Sequence, residues 1–139
     1  MARIEQAFVE YLAAEVALVG ERIYPLRLPQ QPALPAIVYQ RISRPDDGMA
    51  HDGAGSGIAH PRFQFACYAN EEDGGYDEAQ RVAERLVVAL NGFKGQMGSV
   101  NVNKVSAAFV DNAFDDYEPE TRRVRVLVDV RFWHEEATA

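Results

Sequence analysis

Arg62-Phe63-Gln64-Phe65-Ala66-Cys67-Tyr68 decides the fold. Phe63, Phe65 and Cys67 fall on one side of an extended chain, and Arg62, Gln64 and Ala66 on the other. A period of two with bulky groups on one side marks a strand half buried against a core. A Gly74-Gly75 turn follows, and then a helix over residues 76–90. Tyr76, Ala79, Ala83, Leu86, Val87 and Leu90 form its apolar stripe at a helical period. Asp77 and Glu78 sit in the first turn, where the helix dipole favours negative charge. Gly92 supplies the stop. Val88 points off the stripe, a hint of a contact outside the domain.

Upstream, Ala36-Ile37-Val38-Tyr39-Gln40-Arg41-Ile42 is rich in β-branched and aromatic residues and predicts another strand. Residues 2–19 predict an amphipathic helix with Ile4, Ala7, Phe8, Tyr11, Leu18 and Val19 on one face and Gly20 as its stop. Glu15 shares that face and is expected to pair at its edge with an arginine such as Arg22. Pro25, Pro29, Pro32 and Pro35 make residues 21–35 an extended connector. Residues at about 44–60 are rich in glycine and polar groups and predict a long mobile loop between the first two strands.

Downstream, residues 99–110 predict a third strand. The last strand, over 122–133, sets Val124, Val126, Val128, Val130 and Phe132 against Arg123, Arg125, Asp129 and Arg131. Asp111 to Glu120 between them reads as a hairpin tip or an irregular strand end, dense in carboxylates. These elements predict a single α+β domain over residues 1–139. Its architecture is a two-layer sandwich, with two helices packed on one face of a mainly antiparallel four-stranded sheet. The other face, carrying arginines, Gln40 and Gln64, is expected to be wet or covered by a partner.

The net charge of −7 argues against tight grip on nucleic acid, which needs Lys and Arg to neutralise phosphates. Cys67 is the sole cysteine, which fits a reducing compartment, and no stretch approaches the roughly 18 apolar residues of a membrane span. His51, Asp52 and His60 lack the spacing of a metal site, so no metal or cofactor is expected. Gly53-Ala54-Gly55-Ser56-Gly57 lacks the lysine and helix of a phosphate loop. Cys67 reads as a core hydrophobe rather than a nucleophile. Candidate contact residues are Arg44, Asp46, Asp47, Met49, His51 and Asp52 in the loop, and Val88 on the helix. The acidic segment adds Asp115, Asp116, Tyr117 and Glu118, and the last strand adds Arg123, Arg125, Arg131 and Trp133.

Several short phrases stand in a fixed order. They are Leu34-Pro35-Ala36-Ile37-Val38-Tyr39, the strand at 62–68, and Tyr76-Asp77-Glu78-Ala79. Ala89-Leu90-Asn91-Gly92-Phe93-Lys94-Gly95 and Tyr117-Glu118-Pro119-Glu120-Thr121 follow, with the strand at 124–132 last. In that order the chain resembles the tail-completion (tail-terminator, minor tail) proteins of long-tailed phages and prophages. The resemblance implies an α+β structural protein without catalytic residues. It would form a homo-oligomeric ring, often six-fold, on the head-proximal end of the tail tube. There it would stop tube polymerisation and offer a joining surface to the head connector or neck protein. The tail-tube protein would be its other partner, and DNA would pass through without specific binding. The expected place is the virion tail, after assembly in the host cytoplasm, with no membrane contact. Two alternatives stay open: a neck or head-completion protein, and a small metal-dependent hydrolase using His51, Asp52 and His60.

Overall fold

The computed structural model describes residues 2–43, 58–72 and 74–136. In chain order they form α1 (Ile4–Glu15), β1 (Ile23–Pro25), β2 (Ala36–Ser43), β3 (Ile58–Ala59) and β4 (Arg62–Asn70). Then come α2 (Gly75–Leu90), β5 (Gly95–Met97), β6 (Asn103–Glu118) and β7 (Arg123–Glu135). All seven strands join one sheet in the order β1-β2-β4-β7-β6-β5, with β3 paired to the end of β7. β1 runs parallel to β2, and every other pair is antiparallel.

This corrects the expected four-stranded, two-layer sandwich. The protein is mostly β, and its mixed sheet curls into a half-barrel with two helices. The α+β reading survives only in part. Strand twist favours curling, and register shifts at Arg41/Ser43, Val105/Ala107 and Val110/Asn112 add to it. Two strands lay hidden in segments assigned to connectors, and β5 falls where no strand was expected. β1 sits inside the proline-rich stretch, with Pro25 at its end on an outer strand, where a missing N–H costs no ladder bond. β3 lies in the expected loop, so residues 58 and 59 belong to the sheet; residues 44–57 of that loop lie outside the described residues. The acidic stretch is the second half of β6, paired to β7 out to Glu118.

One side of the sheet carries the main core. Phe63, Phe65 and Cys67 of β4 are buried there with Val124, Val126, Val128, Val130 and Phe132 of β7, as their alternation predicts. α2 adds Ala79, Val82, Ala83, Leu86, Ala89 and Leu90. Tyr76, expected in the stripe, is exposed instead and donates its hydroxyl to Asp115 Oδ2 at 2.8 Å. Gly75 meets a strict limit, since a Cβ there would strike the Asn70 carbonyl, so α2 can start this close to β4 only with glycine.

α1 is shorter than its periodicity predicts. It starts where Gln6 Oε1 accepts the Arg3 N–H at 3.0 Å, and it stops at Glu15. Tighter turns carry the chain to Gly20, whose positive φ of 55° ends the segment as expected. Leu12 joins Ile4 and Phe8 in the core at helical spacing, and because the winding changes after Glu15, Val16 takes a core place while Leu18 turns outward. Glu15 is exposed, and Arg22 binds the Leu18 and Pro35 carbonyls instead of it. Phe8 is the key of this helix, with ring centroids 5.0 Å from Tyr39 and Phe63, 5.1 Å from Phe65 and 5.7 Å from Phe132.

A second, smaller cluster lies on the opposite side. Val38, Ala66, Tyr68 and Leu127 are buried there beneath Leu28 and Leu34 of the proline-rich connector. The outer face is therefore neither wholly wet nor wholly free, because the chain covers part of it itself.

Glu10 organises a third point. Its carboxylate accepts from the Ser99 amide and hydroxyl, from the Val100 amide at 2.8 Å, from the Asn101 amide at 2.7 Å and from Asn101 Nδ2 at 3.2 Å. Gly98, at φ 87° and with a Cβ position inside the Asn101 carbonyl, permits the turn. Val100 at its tip is 86% exposed. The Ser99 side chain, then the backbone amides, hold Glu10 far below the usual carboxylate range, at about 2.

Two predictions follow from this packing. Phe8→Ala is expected to cost about 3–5 kcal/mol, read as a shift in urea midpoint at constant slope, because four aromatic neighbours lose their common partner. Glu10 is more acidic folded than unfolded, so its contribution is complete above pH 4.5 and is lost as pH falls toward 2. Glu10→Gln should therefore melt below the parent at pH 7, and melting curves should converge between pH 4.5 and 2.

Candidate assembly surface

The outer side of the sheet gathers most of the predicted contact residues that the structure describes. In β7, Arg123, Arg125, Leu127, Asp129, Arg131 and Trp133 alternate with the buried valines and so share that side. Across the ladder stand Glu118, Asp116, Phe114 and Phe109 of β6, opposite Arg123, Arg125, Leu127 and Arg131.

Two arginine centres order this face. Arg125 Nε donates to Asp116 Oδ2 at 2.6 Å, and Nη1 donates to the Tyr68 hydroxyl at 3.0 Å. The same guanidinium approaches Glu118 at 3.5 Å and lies 5.8 Å from the Tyr68 ring centre. The hydrogen bond from Arg125 holds Asp116 below its ordinary range, and the Tyr117 amide adds to the effect. Farther along, Arg131 Nε donates to Asp111 Oδ1 at 2.8 Å, and Arg62 adds a contact of 3.5 Å to Asp111. Between the centres, Gln64 Nε2 donates to Asp129 Oδ1 at 3.1 Å. These pairs are partly exposed, so each adds little stability, while together they fix the side chains in place.

Aromatic groups flank the second centre. Arg131 lies 5.2 Å from the Trp133 ring, which packs edge-on against Phe109 at 5.8 Å and stacks on His60 at 6.0 Å. Phe109 is 47% exposed and Phe114 41%. Tryptophan, tyrosine and arginine with exposed apolar neighbours is the composition of an interface anchor.

Other predicted residues fall elsewhere. Asp115 sits on the inner side opposite Val126, and it accepts from Tyr76 and Gln80 of α2. Tyr117 faces inward too, opposite Val124, and is exposed at the sheet's end. Val88 is 74% exposed on α2, on the helical layer. Arg44, Asp46, Asp47, Met49, His51 and Asp52 lie outside the described residues. Phe109 and Phe114 went unrecognised in the sequence, because the register shifts of β6 break the alternation that would have placed them on this face.

Ionisable side chains also converge in a cleft of about 320 Å³ lined by Arg3, Glu5, Arg41, His134 and Glu136. Arg41 and Glu5 pair there at 3.0 Å, and burial pushes His134 below the usual histidine range, which favours its neutral form. Among the described residues no group of three His, Cys, Asp or Glu side chains is placed to hold a metal ion. Cys67 is buried and pushed up to about 12, so it is a core thiol with little nucleophilic thiolate.

No curated protein matches the chain. A chain from a structure entitled "Virion of native gene transfer agent (GTA) particle" shares its fold, with a TM-score of 0.64 and 19% identity over 96% of this chain and 92% of that one. The family described as Tail completion protein gp17 matches residues 6–135. The chain is thus a member of that tail-completion family, a structural component of the virion tail.

Proposed function

We propose that the protein closes the head-proximal end of a phage-type tail tube as a ring of identical copies, ends tube growth there and offers the head its joining surface. The observation that carries this reading is the placement of exposed apolar groups on two different sides. Phe109 and Phe114 lie exposed on the outer sheet face beside the half-buried Trp133, and Val88 projects from the helical layer. A closed ring needs two unlike patches on each copy, one to meet the other on its neighbour. The arginine centres around Asp111 and Asp116 fix the outer patch, so little side-chain order is lost on contact. The net charge of −7 suits a component past which DNA must slide, because a phosphate backbone is repelled rather than held. The partners on this reading are further copies of the chain, the tail-tube protein and the head connector. No reacting group takes part, and His60 serves as a packing partner of Trp133.

Tail length and head joining test it. Particles lacking this protein should carry overlong or unjoined tails in negative-stain micrographs, and the parent chain supplied in trans should restore them. A folded Phe109→Asp/Phe114→Asp variant should lower the yield of joined particles by about tenfold or more, the scale of one interface anchor. Tails of normal length in its absence would remove the terminator role, and full rescue by the double variant would remove the outer face from the interface.

A further inference from the structure

β6 has a long side without a strand neighbour. β5 covers it only from Asn103 to Val105, and among the described residues no strand pairs with β6 beyond that point on this side. An uncovered strand offers its amides and carbonyls to any extended chain, most readily to another copy of itself.

The outward groups can be traced one by one. The Ala108 carbonyl accepts from the Gly92 amide at 2.8 Å, and the Val110 amide donates to Asn91 Oδ1 at 3.0 Å. Both therefore face away from β7. Past the register shift at Val110/Asn112, alternation turns the amides of Ala113, Asp115 and Tyr117 the same way. The Ala113 amide donates to Asn112 Oδ1 at 3.0 Å. The Tyr117 amide donates to the Asp116 carboxylate. In each case the preceding side chain takes the donor that an added strand would need. The shifts at Val105/Ala107 and Val110/Asn112 twist the edge away from a straight template.

We infer that Asn91, Asn112 and Asp116 are edge caps, which close the β6 edge to strand addition by a second copy and leave side-chain surfaces as the route of assembly. The inference stands whether or not the ring forms. It concerns the backbone edge, and because Asp116 also holds Arg125 on the outer face, Asn112 carries the test that is separate from the proposed function.

Asn112→Ala separates the cap from other roles, because among the described residues the Asn112 side chain hydrogen-bonds to the Ala113 amide alone. In this variant the Ala113 amide should exchange with solvent deuterium about tenfold faster than in the parent, the scale of one lost hydrogen bond. Tyr117 should be unchanged, and Asn112→Asp should restore protection at Ala113. Asn112→Ala/Asp116→Ala should then form concentration-dependent larger species by sedimentation, with an infrared signature of intermolecular strands, while near-ultraviolet dichroism stays native. Unchanged exchange at Ala113 in Asn112→Ala, or a folded double variant that sediments like the parent, would overturn the inference. If the double variant fails to fold, the exchange measurement on Asn112→Ala decides alone.

Discussion

The curled sheet depends on one ring. Phe8 of α1 fills the space between Tyr39, Phe63, Phe65 and Phe132, side chains from three neighbouring strands. Three of these contacts are edge-to-face and the fourth, with Phe132, is stacked, and such aromatic pairs add to the free energy of burial itself. A flat sheet would spread these strands too widely for one side chain to reach all of them. Curvature and helix docking are therefore a single event, and α1 cannot leave without opening the centre of the fold. The outer face inherits this rigidity, because β4 and β7 present Phe63, Phe65 and Phe132 to Phe8 on one side and their arginines on the other.

Much of this was legible in residue order alone. β4 and the long run of β7 keep a strict alternation, so the division of valines from arginines was plain before any coordinates. β6 was not legible to the same depth. Two register shifts change which side its residues face, and they hide Phe109 and Phe114 among polar neighbours. β1, β3 and β5 have two or three residues each, too few to show any period, and owe their form to the strands beside them. The carboxylate bonds of Glu10 reach residues about 90 positions away, where no local pattern can signal them. In α1 the ideal period carried the expectation past the true end of the helix, and Leu18, expected on the buried stripe, is exposed.

The acidic segment teaches a related lesson. Read as a tip, its carboxylates form one solvated cluster. Set in a strand, they divide by parity: Asp116 and Glu118 serve Arg125 outside, and Asp115 ties the strand to α2 inside. The same run of acids thus links two layers of the protein. Asp111, Asp116 and Glu118 each face an arginine, so this run of acids is largely matched in charge.

The turn at Ser99 to Asn101 carries a consequence for any contact made there. Val100 stands on a pedestal whose three amides are already gripped by one carboxylate. Whatever meets it encounters a finished shape, and the usual cost of freezing a loop falls away. The same hydrogen bonds hold Glu10 in its charged form at ordinary pH, so the shape of this peg is set before any partner arrives.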